Sequence, residues 1–468
     1  MVITRLEVDG FKNLRNLSVD FGAFTCIAGE NAAGKSNLFD AIELLSLLAD
    51  LPLMEAAQRV RSTIERRPGD PRDLFWHRPG SPLEMHFGVE MIVPREATDD
   101  FGERATATTT FLRYDIAIGY EPPMPPRHLS GQLHLLSESL RHINKSEAPR
   151  RLAFPLDAKR WRDQVISGRR SGTAYISTEG KGADRQVKIH QDGGSRGQPR
   201  VASAARARST VVSTTTQVDD PTILAARREM QSWRRLALEP SAMRAPDDFN
   251  SPASVDANGQ HLAAALYGLA HREDDPESIY ARVAARLAAL TGLHVRSLRV
   301  DADEARETLT LRLTESTGIE LPARSLSEGT LRFLALCVLL EDPTATGIIC
   351  TEEPENGLHP ANIQAMKELI QDLALDPNEP PGPDNPFRQV IVNTHSPFFV
   401  QLVSKDDLLF ADTRVTEVGD ASRKPVALRL RPIKGGWRAI GHSAPVGMAE
   451  LIDYLAAPPG AQLKITLE

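Results

Sequence analysis

Cysteine is scarce: Cys26, Cys337 and Cys350 are the only three in 468 residues, each inside an apolar run (FTCIAG, LALCVLL, GIICTEE). No CxxC or His/Cys ligand spacing accompanies them, which excludes a disulfide scaffold or zinc module and assigns them to the core of a protein of a reducing compartment. Long apolar runs are missing too. No stretch approaches eighteen consecutive apolar residues, and the start MVITRLEVDGFKN lacks a charged segment followed by an apolar one. Cytoplasmic location with no membrane partner is therefore expected. Nor is there an excess of positive charge: 55 basic against 62 acidic side chains give a net charge of −7, so any DNA contact must be local. Arginine outnumbers lysine about fourfold. A GC-rich genome explains that as well as arginine's value as a bidentate phosphate ligand does. Heptads and internal repeats are absent, which excludes a long coiled-coil arm.

What is present is ordinary globular composition, with 41% hydrophobic and 25% charged residues in a length that allows two to four compact units. Strand signals at 2–11 and 17–30 are followed by a helix from Lys35 to Ala49, with Leu38, Ile42, Leu45 and Leu48 on one face. From 50 to 320 the alternation lapses: extended runs at MHFGVEMIV and TTTFLRYDIAIGY and helices at 221–237, 259–271 and 276–291 predict a large inserted β-subdomain and helical region. Residues 145–208 carry fifteen basic and six acidic side chains, a local net charge of +9. Such a segment is either a flexible solvated loop or a surface for phosphates. After 320 the α/β pattern resumes, with helices at 329–341 and 360–374 and strands at 347–351 and 389–393.

Four motifs carry the chemistry. Gly29-Glu30-Asn31-Ala32-Ala33-Gly34-Lys35-Ser36 matches GxxxxGK[ST], the P-loop, in which backbone N–H groups and a helix N-terminus cradle phosphates. Lys35 reaches the β- and γ-phosphates in such a loop, Ser36 ligates Mg²⁺, and Asn37 follows as a further candidate contact. Second, the apolar strand from Gly347 ends in Glu352-Glu353-Pro354-Glu355. One carboxylate there can hold the metal, assigned to Glu352, while its neighbour Glu353 activates water. Third, Ser327 and Gly329 in LSEGT open a helix, where a serine serves either as an N-cap or as part of an anion site. Fourth, His395 follows a strand in NTHSP, as an ordinary turn residue or as a γ-phosphate and water ligand.

Taken in this order, the motifs resemble those of the RecF/SMC-like and OLD-like ABC ATPases, nearest to stand-alone bacterial ATPases with LSEGTLRFLALCVLL, EEPENGLHP and NTHSP in the C-terminal half. The resemblance covers residues 1–49 and 321–400 and implies an α/β P-loop NTPase of ABC-ATPase type. It divides the chain into 1–49 and 321–400 as the two parts of an ATPase head, 50–320 as the insertion and 401–468 as an extension. It further implies ATP and Mg²⁺ as cofactors and Ser327 and Gly329 as contacts to ATP on a second protomer. Asn356–His359 would be the D-loop and His395 the H-loop, and an ATP-sandwiched homodimer or higher oligomer follows. Two positions depart from the family: Ala32 stands where a glycine is usual and Glu352 where an aspartate is usual. A Q-loop has only the candidate region Leu74–Arg78, equally readable as an aromatic turn.

The family joins such heads to TOPRIM nucleases, but Asp406, Asp407 and Asp412 lack the accompanying glutamate strand. The expectation is an ATP hydrolase without its own nuclease, coupled to DNA sensing through 145–208 and to a separate effector, a TOPRIM-like or other nuclease or a toxin, in bacterial antiviral defence. A RecF-like repair clamp without effector is the alternative. A transporter subunit fits less well, because LSEGT replaces LSGGQ and the insertion is long.

Overall fold

The computed structural model describes all residues except 1, 31–32, 61–69, 77–81, 126–130, 153–157, 169, 171, 193–197, 273, 293, 416–425, 442–443 and 457–468. The chain forms two compact units. One comprises residues up to Trp233, the short piece Pro377–Pro380 and the chain from Lys405 on; the other comprises Arg234–Asp376 and Pro381–Ser404.

In the first unit, Val2–Asp9 turns back into Leu17–Asp20 and also pairs with Glu84–Ile92, which pairs with Phe111–Glu121 and then Gln132–His142. Three short strands, Ile176–Glu179, Gln186–Ile189 and Arg200–Ser203, complete an eight-stranded sheet in which every pairing is antiparallel. The alternation BBBiBiBi along Val2–Asp9 is the period-two pattern of a strand with one face on the core. Phe24–Gly29, buried at every position, runs parallel to Leu408–Val415, which pairs antiparallel with Val426–Pro432. Parallel pairing needs a long crossover, here nearly the whole chain.

In the second unit, Arg234–Leu236, Gly347–Glu352 and Arg388–Thr394 form a parallel set. Helices Leu262–Ala270, Pro276–Thr291, Glu328–Glu341 and Ile363–Leu373 belong to the same unit, with an antiparallel group built on Val295–Asp303 and Thr308–Glu315. Helix Pro276–Thr291 has clear stops: Asp275 accepts the Glu277 N–H and Pro276 sits in the first turn, while Gly292 at φ +65° ends it. Ile363–Leu373 buries Ile363, Met366, Leu369, Ile370 and Leu373, an amphipathic stripe at helical spacing. Buried Arg388 donates to the Leu339 and Leu340 carbonyls at the end of helix Glu328–Glu341, satisfying groups that the helix cannot. Burial pulls its guanidinium down to about 10.

The observed units cut the chain at places other than 49, 320 and 400. Within the segment expected as an insertion, 50–320, Glu84–Ile92 pairs directly with Val2–Asp9 and so shares a sheet with the start of the chain. The helix expected over 221–237 ends at Gln231. Arg234–Leu236 is a strand instead, since parallel pairing beside Ile349–Thr351 outweighs local helix propensity. Residues 145–208 are also not a solvated loop where described, because three of their segments extend the sheet.

Glu138 binds that sheet to the segment that follows it. Wholly buried, its carboxyl accepts the Val211 and Val212 N–H groups at 2.7 and 3.1 Å and the Tyr114 hydroxyl at 3.2 Å. Burial nevertheless dominates and pushes its pKa up to about 7 from an ordinary 4.5. The unfolded chain releases this proton near pH 4.5 while the native protein keeps it to about 7. The group's contribution to stability is therefore complete below that window and declines as pH rises through it, by on the order of 3 kcal/mol. Glu138→Gln should flatten this stretch of the unfolding free energy, measured by chemical denaturation from pH 4 to 8; an unchanged slope would assign the dependence elsewhere.

Candidate functional site

In the first unit, the loop after Phe24–Gly29 leads into helix Lys35–Leu48. Both its glycines are required by geometry. A side chain at Gly29 would collide with the Ala411 backbone, and Gly34, at φ +93°, abuts the Asn13 side chain. Gly34 is the N-cap, no side chain caps the helix, and no acidic residue lies in its first turn. That leaves the positive end of the helix to an anion. Lys35 is buried, with its ammonium 2.6 Å from the Gly29 carbonyl and 2.8 Å from that of Glu30. Ser36 beside it is half-buried. The Glu30 carboxylate accepts the Tyr454 hydroxyl at 3.2 Å. Asn31 and Ala32 lie outside the described residues.

A support that the sequence reading missed is the turn after the first strand. Asn13 donates to the Ala33 carbonyl at 3.0 Å and accepts from the Asn37 amide at 2.8 Å. Asn37, expected to contact nucleotide, thus uses its amide to brace the loop. Lys12, in the left-handed region at φ +45°, pairs at 2.7 Å with Asp40, whose side chain is fully buried. The polar GFKN turn was the available signal.

In the second unit, the strand ending at Glu352 and the one ending at Thr394 run side by side, with Glu352 opposite Asn393. Glu353 then leaves the strand in the left-handed region at φ +45°, a costly conformation for a side-chain-bearing residue. Its Oε1 lies 2.7 Å from His395 Nδ1, and its Oε2 accepts from the Asn356 amide. The His395 side chain is 44% exposed and that of Glu353 26%, so the pair is open to water. Glu352 pairs with Arg235 at 3.1 Å, a partner hidden from sequence reasoning because residue 235 was expected in a helix. Glu355, also unforeseen, is buried and accepts the Thr394 hydroxyl; burial raises its pKa.

Ser327 is an N-cap: it accepts from the Thr330 N–H at 3.2 Å while remaining exposed. Gly329 faces Leu358. Of the Q-loop candidate, Phe75 and Trp76 form a packed turn against Phe11, Tyr120 and Gly10, whereas His77 and Arg78 lie outside the described residues. Within 145–208, Lys145, Arg151, Lys188 and Arg200 pair with Asp163, Glu90, Glu179 and Asp220. Arg170 donates to three backbone carbonyls and stacks on Tyr175, and Arg185 donates to Leu135. Asp412 is committed to Arg429 and Arg431. Among the described residues no group of three metal-binding side chains occurs, and no helix is long and apolar enough to cross a membrane.

A family model described as "AAA domain, putative AbiEii toxin, Type IV TA system" matches residues 200–401. The chain is similar to AAA-domain ATPases. A second model, "Protein of unknown function (DUF2813)", matches 1–53, P-loop included. Among curated relatives, the DNA replication and repair protein RecF of Cyanothece sp. is 40% identical over 84 residues, covering 16% of this chain and 22% of that protein. RecF of Trichodesmium erythraeum is 38% identical over 80 residues, covering 15% and 20%. The chain thus spans about a fifth of the length of these relatives. Among solved structures, an SMC head bound to the C-terminal winged-helix domain of ScpA aligns at 14% identity and TM-score 0.43 over 93% of this chain and 99% of that one. The SMC head of Thermotoga maritima aligns at 10% and 0.38 over 93% and 100%. Strand, glycine loop and uncapped helix give this protein an α/β fold of the P-loop NTPase class.

Gly34→Ala should cost on the order of 2 kcal/mol of stability, from left-handed strain and the Asn13 clash. Chemical denaturation measures it, and an unchanged midpoint would show that the loop relaxes freely.

Proposed function

We propose that the protein is an ATP hydrolase of the ABC type. The observation that carries this reading is the Glu353–His395 contact, a carboxylate and an imidazole 2.7 Å apart at the ends of neighbouring parallel strands. A carboxylate so placed takes the proton of an attacking water, and His395 fixes its orientation. Lys35 and the N–H groups around Gly34 bind the phosphates. Mg²⁺ keeps several waters and takes one or two protein oxygens beside the phosphates, and the hydroxyl of Ser36 and the carboxylate of Glu352 are hard oxygen donors of that kind. The ion would neutralise developing phosphate charge. Glu352 remains a usable donor in place of the usual aspartate, with Arg235 holding one of its oxygens.

Ser327, exposed at the start of its helix, is available to a nucleotide held by a second protomer, so ATP-dependent head-to-head dimerisation belongs to the proposal. The RecF relatives, named for DNA replication and repair, favour DNA as the signal. The name of the matched AAA model refers to a toxin and a toxin–antitoxin system, and a role in such a system, with a separate effector, belongs to the proposal through the motif resemblance. Arg170 spends its donors on internal carbonyls, so the proposed DNA contact through 145–208 is carried by the segment's other basic residues. A repair clamp without effector is the second reading, favoured by the same RecF similarity.

Steady-state ATP hydrolysis with and without double-stranded DNA tests the proposal. Lys35→Ala should weaken nucleotide binding, and Glu353→Gln should lower kcat by about a hundredfold or more while nucleotide still binds. Turnover that survives both changes would refute the assignment; turnover indifferent to DNA would reject DNA as the signal.

A further inference from the structure

Glu353 is held by more than His395. Its other oxygen, Oε2, accepts from the side-chain amide of Asn356, and the Asn356 N–H donates to the Glu353 carbonyl at 2.9 Å, closing a tight turn around the carboxylate. The Asn356 carbonyl in turn accepts from Arg332 Nη1, one turn into the helix that Ser327 opens. The same two elements also approach closely at Gly329, where an added methyl would come within 3.1 Å of the Leu358 side chain. Arg332, Glu352, Glu353 and Asn356 line one cleft of about 220 Å³ over an apolar floor that includes Leu336, Met366 and Ile370. All these groups belong to the second unit.

We infer that Asn356 and Arg332 are positioning residues for Glu353, forming a relay by which the helix behind Ser327 sets the orientation of the water-activating carboxylate. The inference rests on the hydrolase reading. Glu353 sits at φ +45°, so its backbone offers no relaxed default, and its carboxylate is fixed by what its two oxygens meet. One meets His395; the other meets an amide whose own main chain is tied to the helix. A small displacement of Arg332 therefore moves the Asn356 carbonyl, and with it the amide that aims Oε2. Whatever docks at Ser327 and Gly329 is reported to Glu353 through the helix, Arg332 and Asn356.

The test is a double-mutant cycle in the full chain. Asn356 is exposed, so Asn356→Ala should melt like the wild type while kcat falls about tenfold and ATP binding stays unchanged. Asn356→Asp, which removes the donor and places a like charge beside Glu353, should fall further. Arg332→Lys, which keeps a donor for the carbonyl, should retain more turnover than Arg332→Ala. In the Glu353→Gln background the Asn356→Ala change should cost nothing more, because a residue acting through Glu353 has nothing left to position. Additive losses in the two backgrounds, or wild-type kcat in Asn356→Ala, would overturn the relay while leaving the hydrolase reading intact. Wild-type protein without Lys35-dependent turnover would overturn both.

Discussion

Parallel strands cannot be closed by a tight turn, and the architecture follows from that constraint. In the first unit Phe24–Gly29 finds its partner in Leu408–Val415, almost at the other end of the sequence. In the second, Gly347–Glu352 lies between Arg234–Leu236 and Arg388–Thr394. Phe24–Gly29, Gly347–Glu352 and Arg388–Thr394 each lead into a loop rather than a hairpin. Those loops hold the residues proposed for the chemistry, and crevices at the carboxyl ends of parallel strands are where α/β proteins place their ligands. The close approach of Gly29 to Ala411 shows how tightly such pairing limits residue choice.

The two loops present opposite electrostatic environments. Around Lys35 the protein gathers the positive end of an uncapped helix and an ammonium, both suited to anionic phosphate. Around Glu353 it gathers carboxylates, and each is held differently. Glu352 faces Arg235, Glu353 has His395 and Asn356, and Glu355 is buried against Thr394 with its pKa raised. Three neighbouring glutamates thus receive three environments, so that adjacent like residues can have separate roles.

The P-loop, the acidic strand end and the histidine after a strand were legible because each is a contiguous pattern whose residues act through local backbone geometry. Helix limits were legible where caps mark them, as at Asp275 and Gly292. Arg235, Asn13 and Arg332 were not legible, since each acts on a partner distant in sequence or in an element that local propensity assigns wrongly. The ion pairs of the basic segment were hidden for a related reason: net charge can be counted in a sequence, but pairing with Glu90 or Asp220 cannot.

The sequence by itself determined the loop of Gly29–Ser36, the identity of the carboxylates and imidazole, and the α/β class, because backbone periodicity and short-range spacing suffice for these. Tertiary structure alone decided that Asn37 braces a loop, that Arg170 stacks on Tyr175 and donates to three carbonyls, and that Glu353 is strained and held from both oxygens. Each of those facts depends on which distant chain segment comes to lie within hydrogen-bond reach, and only the completed packing fixes that.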